Sequence, residues 1–197
     1  MGDDGHMYVP QTLLQIYQNE IIPLCDICTP NQFEVELLTG QKIKNEVDAW
    51  TAMQWFHERG VRTVAISSTS IDQTGHLMAF LSHKNGTNRS KYTIKIPVIG
   101  NGITFTGAGD LFASLFLAHS SLKSDLSEAF EHTVASLQAV LRNTFESIPE
   151  EKRSPGKVNS RLRELKLIQS KADLENPNVV LRAKKETSIE WFLDVTD

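Results

Sequence analysis

Residues 107–118, GAGDLFASLFLA, constrain the fold more than any other stretch of the chain. The run that follows the two glycines is apolar on nearly every side of a helix, which predicts a central helix packed all round with its amino end fixed. Gly107 and Gly109 leave the backbone open, so an anion can approach successive N–H groups at the positive end of the helix dipole. The stretch therefore predicts a rigid anion site at the start of a buried helix.

Asp110 lies in the first turn of this helix, where the dipole favours an ionised carboxylate. Phosphoryl transfer needs mainly positioning and charge stabilisation, and a carboxylate there can accept the proton of a substrate hydroxyl. We therefore interpret Gly107, Ala108 and Gly109 as an anion hole and Asp110 as a catalytic base. The structural alternative is a good first-turn residue beside glycines that only make a tight turn. No GxxxxGK[ST] loop is present, and the third glycine of a dinucleotide-binding fingerprint is missing.

Composition excludes several classes of protein. The 197 residues are 22% charged and 40% hydrophobic, which is typical of one globular domain. With 20 Lys and Arg against 24 Asp and Glu, the net charge of -4 offers no basic footprint for nucleic acid. No apolar run reaches a membrane span, and the acidic start lacks the pattern of a signal peptide. These features predict a cytoplasmic protein that binds neither nucleic acid nor membrane.

Strand and helix patterns alternate along the chain. In the segment 29–38, Thr29 is predicted to cap a helix, with Pro30 at its first position and Gln32 completing a capping box. A hairpin with a somewhat long loop is predicted around residues 84–88. This order favours a three-layer α/β/α fold with a mostly parallel sheet. The remaining predicted elements are strands at 21–28, 61–66, 77–82, 92–96 and 179–182, and helices at 46–59, 126–144 and 160–169.

The two cysteines, Cys25 and Cys28, have the CxxC spacing of a redox or metal pair. In the predicted strand, residues three apart point to opposite faces, and no second cysteine pair completes a zinc site. We therefore favour two small buried side chains.

The residues from Thr106 to Asp110, followed by the apolar helix, resemble the anion hole and catalytic base of the ribokinase-like sugar and vitamin kinases. Within that superfamily, three motifs are similar to those of pyridoxal kinases. The resemblance extends from residue 2 to about residue 183. It implies a ribokinase-like domain of which residues 1–183 form the C-terminal, nucleotide-binding and catalytic part, with 184–197 as a divergent tail. The three motifs are TPNQFEVELLTG at 29–40, GDLFASLFLA at 109–118 and LKLIQSKADLENP at 165–177.

The resemblance implies a reaction and its participants. The reaction is ATP-dependent phosphorylation of the 5′-hydroxymethyl group of pyridoxal, pyridoxine or pyridoxamine, which salvages vitamin B6 as pyridoxal 5′-phosphate. Mg2+ is expected because the phosphates need neutralising, and a monovalent cation or Zn2+ is a further candidate ion. The implied partners are ATP, a B6 vitamer and either a second copy in a homodimer or a full-length kinase subunit.

The resemblance also implies roles for individual residues. Asn31 and Glu34 are expected to serve the nucleotide phosphates and the metal, and their structural alternative is helix capping. Ser67 and Ser68 are expected to contact ATP, and their structural alternative is capping of the next turn. Pro97, Val98 and Ile99 are expected to form part of an adenine wall. The implied metal ligands are Thr29, Glu34 and Asp3. The implied nucleotide-binding residues are Asp3, Tyr8, Asn31, Ser67, Ser68, Pro97, Val98, Ile99 and Thr106.

The sequence departs from this family at its start. Met1-Gly2-Asp3 resembles the middle of the family's Asp-Pro-Val-x-Gly-Asp segment, so we expect that roughly the first third or more of a full kinase is absent. The missing part includes early strands and the residues around the pyridoxine ring, and its loss predicts exposed edges and poor solubility or reliance on a partner. Ala108 also replaces a threonine found in many relatives.

Three hypotheses for function follow. The first is a pyridoxal kinase chain, and the second is a catalytically incompetent nucleotide-binding fragment that associates with a full-length subunit. The third is a kinase of another small alcohol, such as hydroxymethylpyrimidine.

Overall fold

The computed structural model of the chain describes residues 1–3, 6–72, 74–100 and 102–186, without the side chain of Asp3. In these residues, a small antiparallel pair of strands precedes a five-stranded sheet of order β3-β4-β5-β6-β7. The strands are β1 (Gly2–Asp3), β2 (His6–Met7), β3 (Ile27–Cys28), β4 (Thr63–Thr69), β5 (His76–Asn85), β6 (Asn88–Pro97) and β7 (Lys184–Lys185). The α-helices are α1 (Leu13–Ile16), α2 (Gln32–Thr39), α3 (Glu46–Glu58), α4 (Ala108–Leu122), α5 (Leu126–Glu146) and α6 (Lys171–Glu175).

The main sheet is mixed, which corrects the prediction of a mostly parallel one. Among the described strands, only β3 and β4 pair in parallel, while β4–β5, β5–β6 and β6–β7 are antiparallel. The connections from β4 to β5 and from β5 to β6 are too short for the crossover that a parallel neighbour requires. A single parallel bridge also joins Thr106 to Glu164. The predicted α/β class is confirmed.

Helices cover both faces of the sheet, as the sequence predicts. Side chains of β4 alternate between the two faces. Val64 and Ile66 join the core formed with α2 and α3. Ala65 joins the core formed with α4 and α5. The arrangement is therefore three layers, with a hydrophobic core on each side of the sheet.

Helix α2 begins later than the sequence predicts. Asn31 is its N-cap, and its side-chain oxygen accepts the Glu34 N–H at 2.8 Å. The Glu34 carboxylate accepts the Asn31 N–H at 3.0 Å, which completes a capping box. Asn is a strong cap, and Pro30 then precedes the helix instead of opening it. Gly40 ends the helix in the left-handed conformation, with φ 72°.

The segment before β3 is mostly helical, so the strand predicted at 21–28 is wrong except at its end. Helix α1 continues as a π-helix over Tyr17–Ile21 and a 3-10 turn over Ile22–Leu24. Pro23 suits the start of that turn because its missing N–H would have no partner there. Only Ile27–Cys28 pairs with the sheet.

The two cysteines are both free thiols. Cys28 is buried in the core, and Cys25 is half-buried and donates its Sγ–H to the Ile21 carbonyl at 3.2 Å. Burial, with the neighbouring Cys25 sulfur, raises the pKa of Cys28 far above the usual range of a thiol. A redox or metal pair needs a thiolate, so this geometry supports the structural interpretation.

The hairpin between β5 and β6 is tighter than predicted. Each strand has ten residues, and Gly86 and Thr87 alone form the loop, with Asn85 opposite Asn88. Gly86 has φ 60°, which a two-residue hairpin turn requires.

The predicted strand at 179–182 is replaced by β7. The predicted helix at 160–169 is replaced by a 3-10 turn over Ser160–Arg163, before α6.

Helix α4 is covered on one side only, which corrects the prediction of packing all round. Phe112 and Phe116 are buried and meet Phe130 of α5, with ring centroids 6.5 and 6.3 Å away. On the opposite side, Leu117 is 60% exposed and Leu122 is 78% exposed.

No helix among the described residues is long and apolar enough to cross a membrane.

Candidate active site at the start of helix α4

Three strand ends bring most of the predicted site to one edge of the sheet. Strands β3 and β4 are parallel, and two antiparallel steps make β6 run in the same direction as β4. Thr29 follows β3, Ser67 and Ser68 lie near the end of β4, and residues 97–99 end β6 or follow it. Ligands of open α/β sheets bind at the carboxyl ends of such strands.

The start of α4 has the backbone geometry of an anion site. Gly107 is its N-cap, in the left-handed conformation with φ 85°. The first hydrogen bond of the helix runs from the Leu111 N–H to the Gly107 carbonyl at 2.9 Å. The N–H groups of residues 108–110 therefore have no acceptor inside the helix and add to the positive end of its dipole.

The space around this helix start is open. A Cβ atom added to Gly109 would meet nothing within 4 Å, so packing does not require glycine there. Asp110 is exposed, and its carboxylate has no hydrogen bond or ion pair among the described residues. The carboxylate can therefore accept a proton from a hydroxyl group that reaches it.

Backbone pairing of Thr106 holds the helix start from behind. The N–H of the exposed Thr106 donates to the Arg163 carbonyl at 3.1 Å, and Thr106 pairs with Glu164. A Cβ on Gly107 would lie 3.9 Å from the side chain of Leu165. Residues 163 and 164 thus hold the residue that precedes the turn of the candidate anion site.

Asn31 and Glu34 are held in contacts of their own. The Asn31 Nδ2 donates to the Gly2 carbonyl at 2.9 Å, and the Met1 ammonium donates to the Glu34 Oε1 at 2.6 Å. Both carboxylate oxygens of Glu34 are therefore occupied, one by Met1 and the other by the Asn31 N–H. No hydrogen bond or ion pair between described residues links this group to residues 107–110.

The other predicted nucleotide residues surround these two groups. Ser67 donates its N–H to the Pro30 carbonyl at 3.2 Å, which ties the end of β4 to the start of α2. Thr29, Ser67 and Ser68 are half-buried. Tyr8 is 74% exposed and donates its N–H to the Met1 carbonyl at 2.9 Å. The predicted role of the Asp3 side chain lies outside the described atoms.

The proposed adenine wall is partly exposed. Pro97 ends β6 in an exposed position, and Val98 is 49% exposed. Ile99 instead packs against a small core of Ile103 and Phe105. The wall therefore offers exposed apolar surface at the strand edge where ligands gather.

Sequence reasoning missed a charged group at the same edge. The Asp72 Oδ2 lies 2.9 Å from the Lys95 Nζ, which also donates to the Thr74 hydroxyl at 2.8 Å. The Asp72 Oδ1 accepts the Thr74 N–H at 2.7 Å. Hydrogen bonds from Lys95 and Thr74 hold the pKa of Asp72 well below its usual range. The turn pattern Asp-x-Thr-Gly at residues 72–75 was the available signal.

The layers, the strand directions and the helix start define the class: this is a ribokinase-like α/β protein. The family model described as "Phosphomethylpyrimidine kinase" matches residues 1–154, and the chain belongs to that family.

Known relatives are similar over nearly the whole chain. A pyridoxal kinase of Arabidopsis thaliana is 38% identical over 186 residues, which are 94% of this chain and 59% of the relative. A pyridoxal kinase of Sus scrofa is 36% identical over 194 residues, with 93% and 60% covered. The chain therefore spans about three fifths of these relatives.

Solved structures of pyridoxal kinases have a similar fold. Pyridoxal kinase from Leishmania donovani in complex with ADP and pyridoxamine superposes with a TM-score of 0.84 at 29% identity, over 95% of this chain and 60% of that one. The pyridoxal kinase of Entamoeba histolytica gives 0.75 at 26%, with 94% and 59% covered. These likenesses confirm the ribokinase-like fold predicted from the sequence.

Proposed function

We propose that this chain carries the nucleotide-binding and catalytic part of a kinase that phosphorylates the 5′-hydroxymethyl group of pyridoxal, pyridoxine or pyridoxamine with ATP. The observation that carries the proposal is the start of α4, where the exposed Asp110, which has no partner among the described residues, follows a glycine turn whose amides have no acceptor inside the helix. The similar Leishmania donovani protein holds ADP and pyridoxamine. Residues 1–183 act as one catalytic unit in this proposal.

In the proposed reaction, Asp110 acts as the general base. Its carboxylate takes the proton of the substrate hydroxyl as that oxygen forms a bond to the γ-phosphorus and the bond to the β-phosphate oxygen breaks. ADP leaves with the electron pair of the broken bond. The amides of residues 107–109 hold the negative oxygens of the transferring group, and the helix dipole stabilises their charge.

The nucleotide is proposed to lie along the carboxyl ends of β3, β4 and β6. Its phosphates then face Asn31 and Thr106, and its ribose or base faces Tyr8 and residues 67–68, with residues 97–99 against the adenine. The exposed apolar surface of Val98 and the half-buried serines suit these roles.

Mg2+ remains part of the proposal, with a monovalent cation or Zn2+ as further ions. Among the described residues, no three His, Cys, Asp or Glu side chains converge as a metal site. Glu34 would first have to release the Met1 ammonium, while Thr29 offers one half-buried hydroxyl. The described residues do not form a metal site by themselves, so we assign no step to an ion.

A measurement of ATP consumption with pyridoxal tests the proposal. Asp110→Asn should lower turnover by about 10²- to 10⁴-fold, the usual contribution of a general base. Its melting temperature should stay unchanged, because the carboxylate has no described partner. Asp26→Asn is the matched control, since the Asp26 carboxylate is exposed, pairs among the described side chains with Arg62, and should leave turnover intact. Equal turnover of Asp110→Asn and the unaltered chain would refute the role of Asp110.

The second candidate function is a nucleotide-binding fragment without turnover of its own. The chain spans only about three fifths of its relatives, which favours this candidate, and it would act by association with a full-length kinase subunit. Calorimetry that detects ATP binding while neither the chain nor Asp110→Asn turns over would support it. Homodimer formation and a cytoplasmic location are further proposals for this chain.

A third candidate is phosphorylation of hydroxymethylpyrimidine, which the description of the matching family model favours. Competition between pyridoxal and hydroxymethylpyrimidine in the kinase assay separates this candidate from the first one. Pyridoxal should inhibit phosphorylation of hydroxymethylpyrimidine only weakly if the pyrimidine is the true substrate.

A further inference from the structure

The hairpin between β5 and β6 places a group of cations at the edge of the sheet opposite the candidate active site. Its loop, residues 86–87, lies at the start of β6, whereas residues 97–99 of the proposed adenine wall lie at the end of that strand. Strand β6 has ten residues, so about 30 Å of sheet separates the two ends. A ligand bound beside the hairpin is therefore far from the end of β6.

Three cations share one face of the sheet at the hairpin. Lys84 and Arg89 are directly opposite each other on the paired strands. Lys91 lies two residues after Arg89, so its side chain is on the same face. Like charges in opposite positions destabilise a strand pair. The hairpin thus carries a repulsion that a bound anion would relieve.

The acids nearby do not neutralise this group. None of the three cations forms an ion pair with a described residue. Glu58 stabilises the charge of Arg89, and Glu186 that of Lys91, but both act from beyond the distance of an ion pair. The Glu186 carboxylate instead pairs with Lys184 at 3.1 Å. The described part of the chain therefore leaves an excess of positive charge here.

Neighbouring titratable groups respond to this excess. Burial lowers the pKa of His57, and repulsion from Arg89 and Lys84 lowers it further. Burial also lowers the pKa of Lys91, and repulsion from Arg89 adds to this effect. Two groups on different elements, α3 and β6, thus share one electrostatic cause, a positive potential at this edge of the sheet.

A cavity of about 510 Å³ lies beside the cations, and its lining is polar. Pockets for uncharged small molecules are lined mainly by apolar and aromatic side chains, so this lining favours a charged ligand. Lys91 is half-buried, with its Nζ 5.1 Å from the ring centroid of Trp50, which confines its ammonium beside α3. The residues that line the cavity are Lys84, Gly86, Thr87, Arg89, Lys91 and Glu186.

A chain of phosphates matches this arrangement in charge. A monovalent anion neutralises one of three cations, whereas a pyrophosphate group carries several negative charges in one small molecule. The guanidinium of an arginine pairs with two phosphate oxygens at once, and the ammonium of a lysine binds phosphate as a point charge. We propose that Lys84, Arg89 and Lys91 bind a phosphate chain in the hairpin cavity. This anion site is separate from the start of α4 and does not depend on the proposed kinase activity.

An NMR titration of the full chain with sodium pyrophosphate, without divalent metal, tests the proposal. The amide signals of Gly86, Thr87 and Arg89 should move and saturate. Arg89→Gln should weaken this binding by at least about tenfold, because hydrogen bonds between charged groups are lost. Lys84→Gln should weaken it in the same direction.

The matched control removes the same charge elsewhere. Lys171→Gln takes one cation from an exposed pair within α6 and should leave the affinity within about twofold. Gly109→Ala, which alters the proposed anion site of α4, should leave the hairpin shifts unchanged. Pyrophosphate that binds at α4 alone would move the signals of residues 107–110 and not those of the hairpin, which would overturn the proposal.

The source of the phosphate chain is tested with ATP in place of pyrophosphate. If the hairpin signals move equally with ATP, the site accepts the phosphates of a nucleotide; if only pyrophosphate moves them, it takes the free anion. Both results support the site. Hairpin signals that move equally in Arg89→Gln, or equally with sodium chloride at the same ionic strength, would overturn it, because screening would then explain the shifts.

Discussion

At the scale of single residues, the two glycines of the proposed anion site have opposite requirements. Gly107 has φ 85°, so Gly107→Ala should lower the free energy of unfolding by about 1–2 kcal/mol. Gly109 has open space around its Cβ position, so Gly109→Ala should fold at least as stably. Its methyl group would instead displace the transferring phosphoryl group, and turnover should fall by about a hundredfold.

Urea unfolding and the ATP assay check both variants. A stable Gly109→Ala chain with full turnover would show that no phosphate approaches this backbone. A Gly107→Ala chain of unchanged stability would show that the turn relaxes.

His119 should make stability depend on pH. It is 7% exposed, and neither ring nitrogen has a hydrogen-bond partner in the part of the chain that the structure describes. Burial lowers the pKa of His119, and the neighbouring His132 and Lys123 add to this effect. The unfolded chain, with an ordinary histidine pKa of about 6.5, therefore binds more protons than the folded chain as the pH falls. Stability should be full above about pH 6.5 and decrease below it.

Urea unfolding at pH 7.5, 6.5 and 5.5 measures this effect. His119→Leu should flatten part of the pH dependence without loss at pH 7.5, because no hydrogen bond is removed. Buried His57 and half-buried His83 also have lowered pKa values, so some dependence should persist. An unchanged slope in His119→Leu would contradict the assignment.

The local geometry of a helix start was predictable where one short motif determines it. Residues 107–110 occupy a helix start with a left-handed glycine and an exposed acid, as their spacing indicates. The contact between the Glu34 carboxylate and the Met1 ammonium was not predictable, because the two residues lie 33 positions apart in the chain. Such long-range contacts leave no trace in local spacing.

At the scale of elements, the cap of α2 distinguishes the observed boundary from the predicted one. Asn31→Ala should cost about 1 kcal/mol of unfolding free energy, because the Glu34 N–H loses its acceptor. Thr29→Ala is the matched control and should cost less, since Thr29 lies two residues before the N-cap of the helix. Thermal unfolding compares the two. A larger loss in Thr29→Ala would favour the boundary predicted from the sequence.

Long periodic elements were predictable and short ones were not. The helices at 46–58 and 126–146 agree with the predictions because several apolar residues mark one face of each. The strand predicted at 21–28 failed because a short apolar run does not distinguish a strand from helical turns. Helix α4 reads as apolar all round, yet one side stays exposed, since composition does not reveal what covers a face.

At the scale of the whole molecule, the exposed side of α4 predicts self-association. Leu117 and Leu122 present apolar surface that no described residue covers. Sedimentation velocity should show association that increases with concentration, and Leu117→Glu with Leu122→Glu should shift it toward the monomer. Val180→Glu is the control, since Val180 is 71% exposed outside α4. A monodisperse monomer at all concentrations, with a sharp melting transition, would contradict this expectation.

The layered architecture was predictable from alternation of helices and strands, whereas strand direction was not. Direction depends on the lengths of the connections, and the loop of two residues at 86–87 forces an antiparallel pair.

The buried thiol of Cys28, beside β4, can report on local opening of the sheet. Cys28 pairs with Val64 at the edge of the sheet, and its sulfur stays protonated while it is buried. An alkylating reagent can modify it only in moments when β3 separates from the sheet. The rate at which Cys28 is alkylated, relative to the rate at half-buried Cys25, therefore reports how often β3 separates from β4. Nucleotide bound across the strand ends should slow the alkylation of Cys28.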